Sequence, residues 1–242
     1  HRRPAVARQF AEAALQRGDP TGWFERLYAA AARGEARVPW VELAPNPHLV
    51  SWAEQRPGPP PAGRALVVGC GLGDDAEFLA GLGYAVTAFD IAPTAITAAR
   101  DRFPSSTVDY VVADVFAPPA DWRSRYDLVV EAYTVQVYRD EPRQRVIRRI
   151  VDLVAEGGTL LVIAHARPIP GNPGPPWPLT RADVTSFARP DLRLVRLDEV
   201  FDDNPPGHRW RAEFRRTGGS RAGGSAAAAQ STREEADHRA AG

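Results

Sequence analysis

From residue 64 onward, short apolar runs alternate with helical patterns, and this alternation limits the possible fold more than any other feature. Five such runs are rich in valine, leucine and alanine. Near-continuous apolar strands separated by helices are typical of a parallel sheet that helices cover on both faces. We therefore predict an α/β fold with a doubly wound sheet. The predicted strands span 64–69, 84–90, 108–115, 126–133 and 157–166, with helices over 74–83, 93–103 and 141–155.

The segments on either side of this alternation predict further elements. Residues 1–56 carry amphipathic patterns at 5–17, 21–33 and 44–55, and we expect an N-terminal helical lid. Downstream, a proline- and glycine-rich loop leads to a short helix at 181–188 and two more strands, so the α/β domain is expected to span 64–216. The low-complexity tail at 217–242 is expected to be disordered.

Composition and charge narrow the function classes. Hydrophobic residues make up 44% and charged residues 25%, as in soluble globular proteins, and the formal net charge is +0. A balanced charge argues against nucleic acid or an anionic membrane as partner, and the arginines of "RQRVIRRI" are expected on a solvated helix face. With one cysteine, no membrane span and no secretion signal in the sequence, we expect a cytoplasmic protein without a metal site, as a monomer or weak dimer.

A glycine-rich turn follows the first predicted strand. Gly69, Gly71 and Gly73 alternate in "VVGCGLGDD", as expected where a nucleotide-like ligand approaches the backbone at a helix N-terminus. The dinucleotide fingerprint G-x-G-x-x-G requires glycine at position 74, but this chain has Asp74, which would repel a pyrophosphate. A ligand with an amino-acid group and no phosphate fits better. S-adenosylmethionine is such a ligand.

Acidic residues at the next two strand ends support the same ligand. Asp90 ends the second predicted strand, where a carboxylate can accept hydrogen bonds from both ribose hydroxyls. Asp114 ends the third, where it can meet the adenine amino group while the Val115 amide meets a ring nitrogen. A turn or a helix cap would explain each residue alone. Together, in order along the sheet edge, they favour a cofactor site.

These segments resemble the class I S-adenosylmethionine-dependent methyltransferases. The first motif of that group resembles "VVGCGLGDD", and the next ones are similar to "AFDIAPTAI", "ADVF", "YDLVVEAY" and "LVAEGGTLLVI". The resemblance covers residues 64–166 and implies a seven-stranded, mostly parallel Rossmann-like sheet with an antiparallel last strand. The candidate cofactor-binding residues are Trp40, Gly69, Cys70, Gly71, Gly73, Asp75, Asp90, Ile91, Asp114, Val115 and Glu131.

A narrower resemblance to the thiopurine S-methyltransferase-like proteins rests on the flanking segments. The stretch from Trp23 to Trp52 resembles their N-terminal segment, in which a helix and a Pro-Trp loop close over the cofactor. "GPPWPLTRADVTSF" resembles the segment that lines their acceptor pocket. This resemblance implies a sulfur acceptor. The substrate-binding candidates are Trp23, Trp40, Tyr138 and Trp177.

The need for a base depends on the acceptor. Methyl transfer is an in-line displacement, so the protein mainly positions the acceptor and excludes water. A thiol needs little base catalysis, whereas a phenol or amine needs a proton acceptor, for which Glu131, His165 and Tyr133 are the catalytic candidates. Two alternatives stay open: His165 can be a hydrogen-bonded structural residue, and Glu131 can contact the cofactor or cap a loop.

We therefore predict an S-adenosylmethionine-dependent methyltransferase that acts on a small molecule, with a thiol or other soft heteroatom preferred as acceptor. N- or O-methylation of a metabolite or natural product is the alternative. An NAD-dependent oxidoreductase is disfavoured by the glycine spacing. A non-catalytic cofactor-binding protein is disfavoured by the lid-like segments.

Overall fold

The computed structural model describes residues 4–56, 62–166, 174–203 and 206–218. Seven strands form one sheet in the order β3-β2-β1-β4-β5-β7-β6, with β7 antiparallel to β5 and β6 and the remaining pairs parallel. The predicted fold class is confirmed. The strands are β1 (Arg64–Val68), β2 (Ala85–Asp90), β3 (Asp109–Val112), β4 (Tyr126–Ala132), β5 (Val154–His165), β6 (Leu192–Asp203) and β7 (Pro206–Arg216).

Helices flank this sheet and precede it along the chain. Within the described ranges, none of them is long and apolar enough to cross a membrane. The linker at 57–61, the loop at 167–173 and the tail from 219 lie outside the described residues. The helices are α1 (Pro4–Gln16), α2 (Gly22–Ala32), α3 (Pro47–Glu54), α4 (Asp74–Gly81), α5 (Pro93–Arg102), α6 (Asp140–Leu153) and α7 (Arg181–Thr185).

The third strand is shorter than its sequence predicts. β3 ends at Val112, so Asp114 lies in the following turn and does not end a strand. The turn forms there because the Asp114 carboxylate accepts a hydrogen bond from the Phe116 amide at 2.8 Å. A short aspartate side chain that bonds a nearby amide competes with strand pairing.

The N-terminal helices divide between two packing roles. Helix α3 contributes Leu49 and Trp52 to the apolar core on one face of the sheet, and the Trp52 indole donates to Glu213 on β7 at 2.8 Å. Helices α1 and α2 form a separate apolar cluster that packs on Ala92 and Ala95 at the start of α5. The segment expected to be a lid is therefore partly a structural layer of the domain.

One arginine of α6 departs from the expected solvated face. Arg143 is buried, donates to the carbonyl oxygens of Tyr138 at 2.8 Å and Trp177 at 3.2 Å, and pairs with Asp183 at 3.1 Å. The expectation is wrong at this position, because the α6 N-terminus packs against the segment that follows β5. Arg148, which is 55% exposed, agrees with it.

The glycine turn between β1 and α4 has a backbone that only glycine adopts readily. Gly69, Gly71 and Gly73 all have left-handed φ values of 64°, 54° and 92°. A Cβ on Gly69 would collide with Thr134, and one on Gly73 would collide with Tyr110. Close approach of protein side chains therefore explains two of the three glycines, where the sequence suggested the approach of a ligand.

We expect Gly73→Ala to destabilise the fold by at least about 1–2 kcal/mol, since it adds left-handed strain and a clash with the Tyr110 ring. Gly81→Ala is the matched control, because a Cβ there meets nothing within 4 Å and lies in α4, where alanine is the better helix former by about 0.5–1 kcal/mol. Urea unfolding of both variants measures the difference. Equal stability of the two would contradict this account of the turn.

Candidate active site

The Asp90 carboxylate lies at the centre of the predicted cofactor site. It is buried at the end of β2, where one oxygen accepts from the Gly71 amide at 3.0 Å and the other from the Ala92 amide at 2.9 Å. Burial raises the pKa of Asp90, although hydrogen bonds from the Ala92, Gly71 and Ile91 amides act in the opposite direction. Each carboxylate oxygen has two lone pairs, so acceptor capacity remains for a ligand hydroxyl.

Asp74 does not contribute charge to the ligand site as the sequence suggested. Its two carboxylate oxygens accept from the Arg102 guanidinium, both at 2.8 Å, and Arg102 also donates to the Leu72 carbonyl oxygen at 2.6 Å. The expectation that Asp74 repels a pyrophosphate is therefore wrong, because the bidentate pairing with Arg102 neutralises this carboxylate.

Other carboxylates make the strand ends acidic. Partial burial raises the pKa of the Cys70 thiol, and the charges of Asp90 and Asp75 add to this effect. Asp114 and Asp90 do the same for Tyr138. An acidic edge repels phosphates and attracts a ligand with positive charge, which is the character of a sulfonium. The residues present therefore fit S-adenosylmethionine better than a dinucleotide.

Tyr138 lies beside the predicted cofactor-binding residues. It is buried, its ring packs edge-on against Phe116 at 5.1 Å, and burial followed by the charges of Asp114 and Asp90 raises its pKa. Val115 is buried in the same core. A tyrosine in this position is next to the turn predicted to hold adenine, and little of its surface is left for an acceptor.

Glu131 combines a capping role with an unpartnered oxygen. Its Oε1 accepts from the amides of Thr134 at 2.7 Å and Val135 at 2.8 Å, so it caps the short 3₁₀ turn after β4. Its Oε2 is buried without a hydrogen-bond partner among the described residues. Burial raises the pKa of Glu131 to about 7 in spite of both amide bonds. The carboxyl can thus carry a proton near neutral pH or accept a donor from a ligand.

Tyr133 and His165 lie side by side at the ends of β4 and β5. The ring centroids of Tyr133 and His165 are 5.2 Å apart. The Tyr133 backbone has a left-handed φ of 65°, a conformation that costs a non-glycine residue on the order of 1–3 kcal/mol. Burial and then the charge of Arg209 lower the pKa of His165 to about 4. The imidazole is therefore neutral at pH 7 and a weak base, which disfavours the general-base role considered for it.

Arg209 also lies in the candidate site, and the sequence analysis did not identify it. Its Nε donates to the Tyr133 hydroxyl at 3.2 Å, and β7 pairs it with His165. A sequence pattern that could have identified it is present in "HRWRAEFRR". There the charged residues Arg209, Arg211 and Glu213 alternate, so they share one face of the strand. Because β7 lies between β5 and β6, charges on it need partners or ligands.

Gln136 was also missed, and it fixes the segment that contains Trp177. Its buried side-chain oxygen accepts from the His165 amide at 2.8 Å, and its backbone oxygen accepts from the Trp177 amide at 2.7 Å. The Leu179 amide then bonds the His165 carbonyl oxygen at 2.9 Å. Trp177 is thus held beside the end of β5, with the Arg139 guanidinium 5.4 Å from its ring.

Trp40 connects the N-terminal segment to the glycine turn. Its indole donates to the Tyr28 hydroxyl at 3.0 Å, and that hydroxyl lies 3.0 Å from where a Cβ on Gly71 would stand. Trp40 is 39% exposed, so it keeps surface for a ligand. Trp23, by contrast, is 4% exposed and donates to the Pro20 carbonyl oxygen, which makes it a packing residue of the helical cluster.

Asp75 makes the second connection to the N-terminal segment. Its carboxylate accepts from the amide of Asn46, the residue that caps α3, at 2.6 Å. Burial raises the pKa of Asp75 to about 6. Its observed role is to join the start of α4 to the start of α3.

Comparison with known proteins decides the class of this domain. Residues 65–158 match the family model of a methyltransferase domain. This region is a class I S-adenosylmethionine-dependent methyltransferase domain. For this region, the predicted enzyme class and the predicted cofactor are confirmed.

Two curated relatives differ in the acceptor that their names give. The chain is 39% identical over 147 residues to malonyl-[acyl-carrier protein] O-methyltransferase of Acetivibrio thermocellus, an alignment that covers 60% of this chain and 46% of that protein. It is 28% identical over 181 residues to thiocyanate methyltransferase 1 of Arabidopsis thaliana, covering 71% and 74%. The chain therefore spans less than half the length of the first relative.

Solved structures share the fold of this domain. One, described for the conversion of a disulfide bond into a thioacetal group during echinomycin biosynthesis, has a TM-score of 0.66 at 25% identity, covering 81% of this chain and 94% of that one. The N-methyltransferase NodS from Bradyrhizobium japonicum WM9, in complex with S-adenosyl-L-homocysteine, has a TM-score of 0.60 at 23% identity, covering 78% and 98%.

Glu131→Gln should stabilise the methyltransferase domain at high pH and not at low pH. Below pH 4.5, the ordinary pKa of glutamate, the carboxyl is protonated in the folded and unfolded chains alike. As the pH rises towards 7, the unfolded chain loses the proton first, so the free energy of unfolding falls by up to about 3 kcal/mol. Glutamine does not titrate and escapes this loss.

Urea unfolding of both proteins near pH 4.5 and near pH 8 measures this difference. We expect the gap between the variant and the parent to open with pH, with its midpoint between 4.5 and about 7. A gap that stays constant across that range would contradict a raised pKa for Glu131. Other titrating groups, including Asp75, are common to both proteins and cancel in the difference.

Proposed function

We propose that this chain methylates a small-molecule acceptor at sulfur or another soft heteroatom. The observation that carries the proposal is the pairing of the Tyr133 and His165 rings at the ends of β4 and β5, with their centroids 5.2 Å apart, where burial and then the charge of Arg209 lower the pKa of the imidazole to about 4 and make it a weak base. An acceptor at such a place must lose its proton largely on its own. A thiol, with a pKa near ~8.5, does so more readily than an alcohol or a protonated amine.

The proposed roles of the chain's own residues follow from their positions. Asp90 binds the ribose hydroxyls, and Asp114 with the Val115 amide binds adenine. The turn from Gly69 to Gly73 lets the amino-acid part of the cofactor approach the backbone, and Glu131 Oε2 accepts a hydrogen bond from that side. These assignments use the remaining acceptor capacity of Asp90 and the unpartnered oxygen of Glu131.

When bound, S-adenosylmethionine would supply an electrophilic methyl group for transfer to the acceptor lone pair, with S-adenosyl-L-homocysteine as the leaving group. The protein's contribution is alignment and exclusion of water. Trp40 is proposed to cover the cofactor, since its indole bonds the Tyr28 hydroxyl beside Gly71. Trp177 is proposed to line the acceptor pocket, since Gln136 holds it at the end of β5.

The comparisons support a soft acceptor and keep one alternative open. One relative is a thiocyanate methyltransferase, and one similar structure concerns the conversion of a disulfide into a thioacetal. Both names involve sulfur, which agrees with a thiopurine S-methyltransferase-like function. The malonyl-[acyl-carrier protein] O-methyltransferase favours the alternative, O- or N-methylation of a metabolite or natural product.

Purified protein with S-adenosylmethionine should methylate members of a thiol library faster than matched phenols and amines, as measured by mass spectrometry of the products.

Asp90→Ala should weaken binding of S-adenosyl-L-homocysteine by about 1.5–3 kcal/mol in calorimetry, because it removes a charged acceptor from paired hydroxyls. Asp121→Ala, at an exposed carboxylate that pairs with Arg125, is the matched control. Methylated amines or phenols with no methylated thiol would overturn the preference for sulfur. Binding of NAD with no binding of either sulfur nucleoside would overturn the cofactor site.

The two loop tryptophans, Trp40 and Trp177, should differ in what they impair. Trp177→Ala should reduce turnover and acceptor affinity while binding of S-adenosyl-L-homocysteine stays within about threefold. Trp40→Ala should weaken nucleoside binding as well, because the variant loses the indole that bonds Tyr28 beside the glycine turn. Calorimetry and steady-state kinetics on both variants separate these effects, and identical profiles for the two would refute separate roles.

A further inference from the structure

We propose that a cavity between α2 and α5 binds a small amphipathic carboxylate, with the apolar body of the ligand inside the cavity and its charge against Arg37. This is a second site, apart from the one assigned to the cofactor and the acceptor, and the inference does not depend on the proposed function. The cavity has a volume of about 380 Å³, within the range of about 300–1,000 Å³ that is usual for small-molecule sites.

The wall of the cavity is mostly apolar. Alanine, valine and leucine side chains line it from the C-terminal half of α2, the segment 36–43, the glycine turn and the middle of α5. From the glycine turn, the lining residue is Leu72. None of the residues predicted to bind the cofactor or the acceptor, all of which the structure describes, lines this cavity. A ligand there would therefore leave the Asp90 carboxylate and the ends of β4 and β5 uncovered.

Two of the three polar side chains in the wall already have partners within the protein. The Tyr28 hydroxyl accepts from the Trp40 indole at 3.0 Å, and the Thr94 hydroxyl donates to the Glu25 carboxylate. The body of a ligand therefore meets an apolar surface. Burial of its own apolar surface is then the main contribution to affinity, and each buried methylene group strengthens binding by up to about fourfold.

Arg37 is the third polar side chain of the wall. It is exposed at the rim of the cavity and has no hydrogen bond or ion pair among the described residues. The nearest acid in the sequence, Glu35, pairs instead with Arg33 at 2.8 Å. The Arg37 guanidinium can therefore pair with a ligand carboxylate at the opening of the cavity. Because the position is exposed, we expect the pair to strengthen binding by only about two- to fivefold.

Leu43 gives a second reason to expect an occupant. It lines the cavity, is 63% exposed and has a left-handed φ of 56°. Bulky apolar residues adopt this backbone conformation rarely and at a cost, and such residues collect at ligand sites. A ligand that fills the cavity would cover Leu43 and offset part of that cost by removing apolar surface from water.

The first test uses octanoate and octanol, which share an apolar chain and differ in charge, with hexanoate as a shorter acid. Calorimetry of the full chain, with and without S-adenosyl-L-homocysteine, should give about two- to fivefold tighter binding of octanoate than of octanol. Hexanoate should bind about tenfold more weakly than octanoate, because it buries two methylene groups fewer. R37Q should remove the preference for the acid and leave octanol binding within about twofold of the parent.

The second test places the ligand in the cavity. Ala98 lines the cavity from α5, so A98L fills part of it with a side chain that favours the helix. Octanoate and octanol should both bind at least about tenfold more weakly to A98L, because the added volume crowds them. T97L is the matched control, because Thr97 is exposed on the same helix and does not line the cavity. It should bind both probes as the parent does.

Several outcomes overturn the inference: no binding of either probe to the parent protein, equal binding to A98L and T97L, or a preference for the acid that persists in R37Q. Displacement of octanoate by S-adenosyl-L-homocysteine would place the ligand in the cofactor site and overturn it as well. So would a parent that binds neither probe and sediments as a dimer, if A98L is a monomer, since the occupant is then a second copy. If A98L does not fold, the acid-to-alcohol ratio in R37Q decides.

Discussion

The Asp90 carboxylate is the interaction on which the ligand-binding edge depends. Its two oxygens hold the Gly71 amide of one turn and the Ala92 amide of the next, so one buried side chain fixes both backbone segments. Removing a buried carboxylate from two amide donors leaves both unsatisfied, a loss larger than that of a single bond. Asp90, the residue proposed to bind the ribose, therefore couples the glycine turn after β1 to the start of α5.

The N-terminal segment is joined to this edge at two points. Asp75 accepts from the Asn46 amide at the start of α3, and Tyr28 links Trp40 to the surroundings of Gly71. Helix α3 is itself anchored by Trp52 in the sheet core. Core packing of α3 therefore fixes the end of the segment that follows Trp40.

Local patterns predicted the sheet and the left-handed glycine turn after β1, because strand burial and glycine turns depend on neighbouring residues. They failed where a long-range partner decides the role of a residue. Asp74 seemed to face the ligand until its partner Arg102 was known, and Arg143 seemed solvated until the segment after β5 packed over it. Arg209 was missed for the same reason: its neighbours Tyr133 and His165 are distant in sequence and meet only through β5–β7 pairing.

The ligand-binding edge is electrostatically divided, and that division suits the proposed chemistry. Carboxylates of Asp90 and Glu131 lie at the ends of β2 and β4, while the guanidinium of Arg209 lies at the start of β7. A cationic cofactor would bind nearest to the carboxylates. His165, kept neutral next to Arg209, avoids adding a second positive charge there.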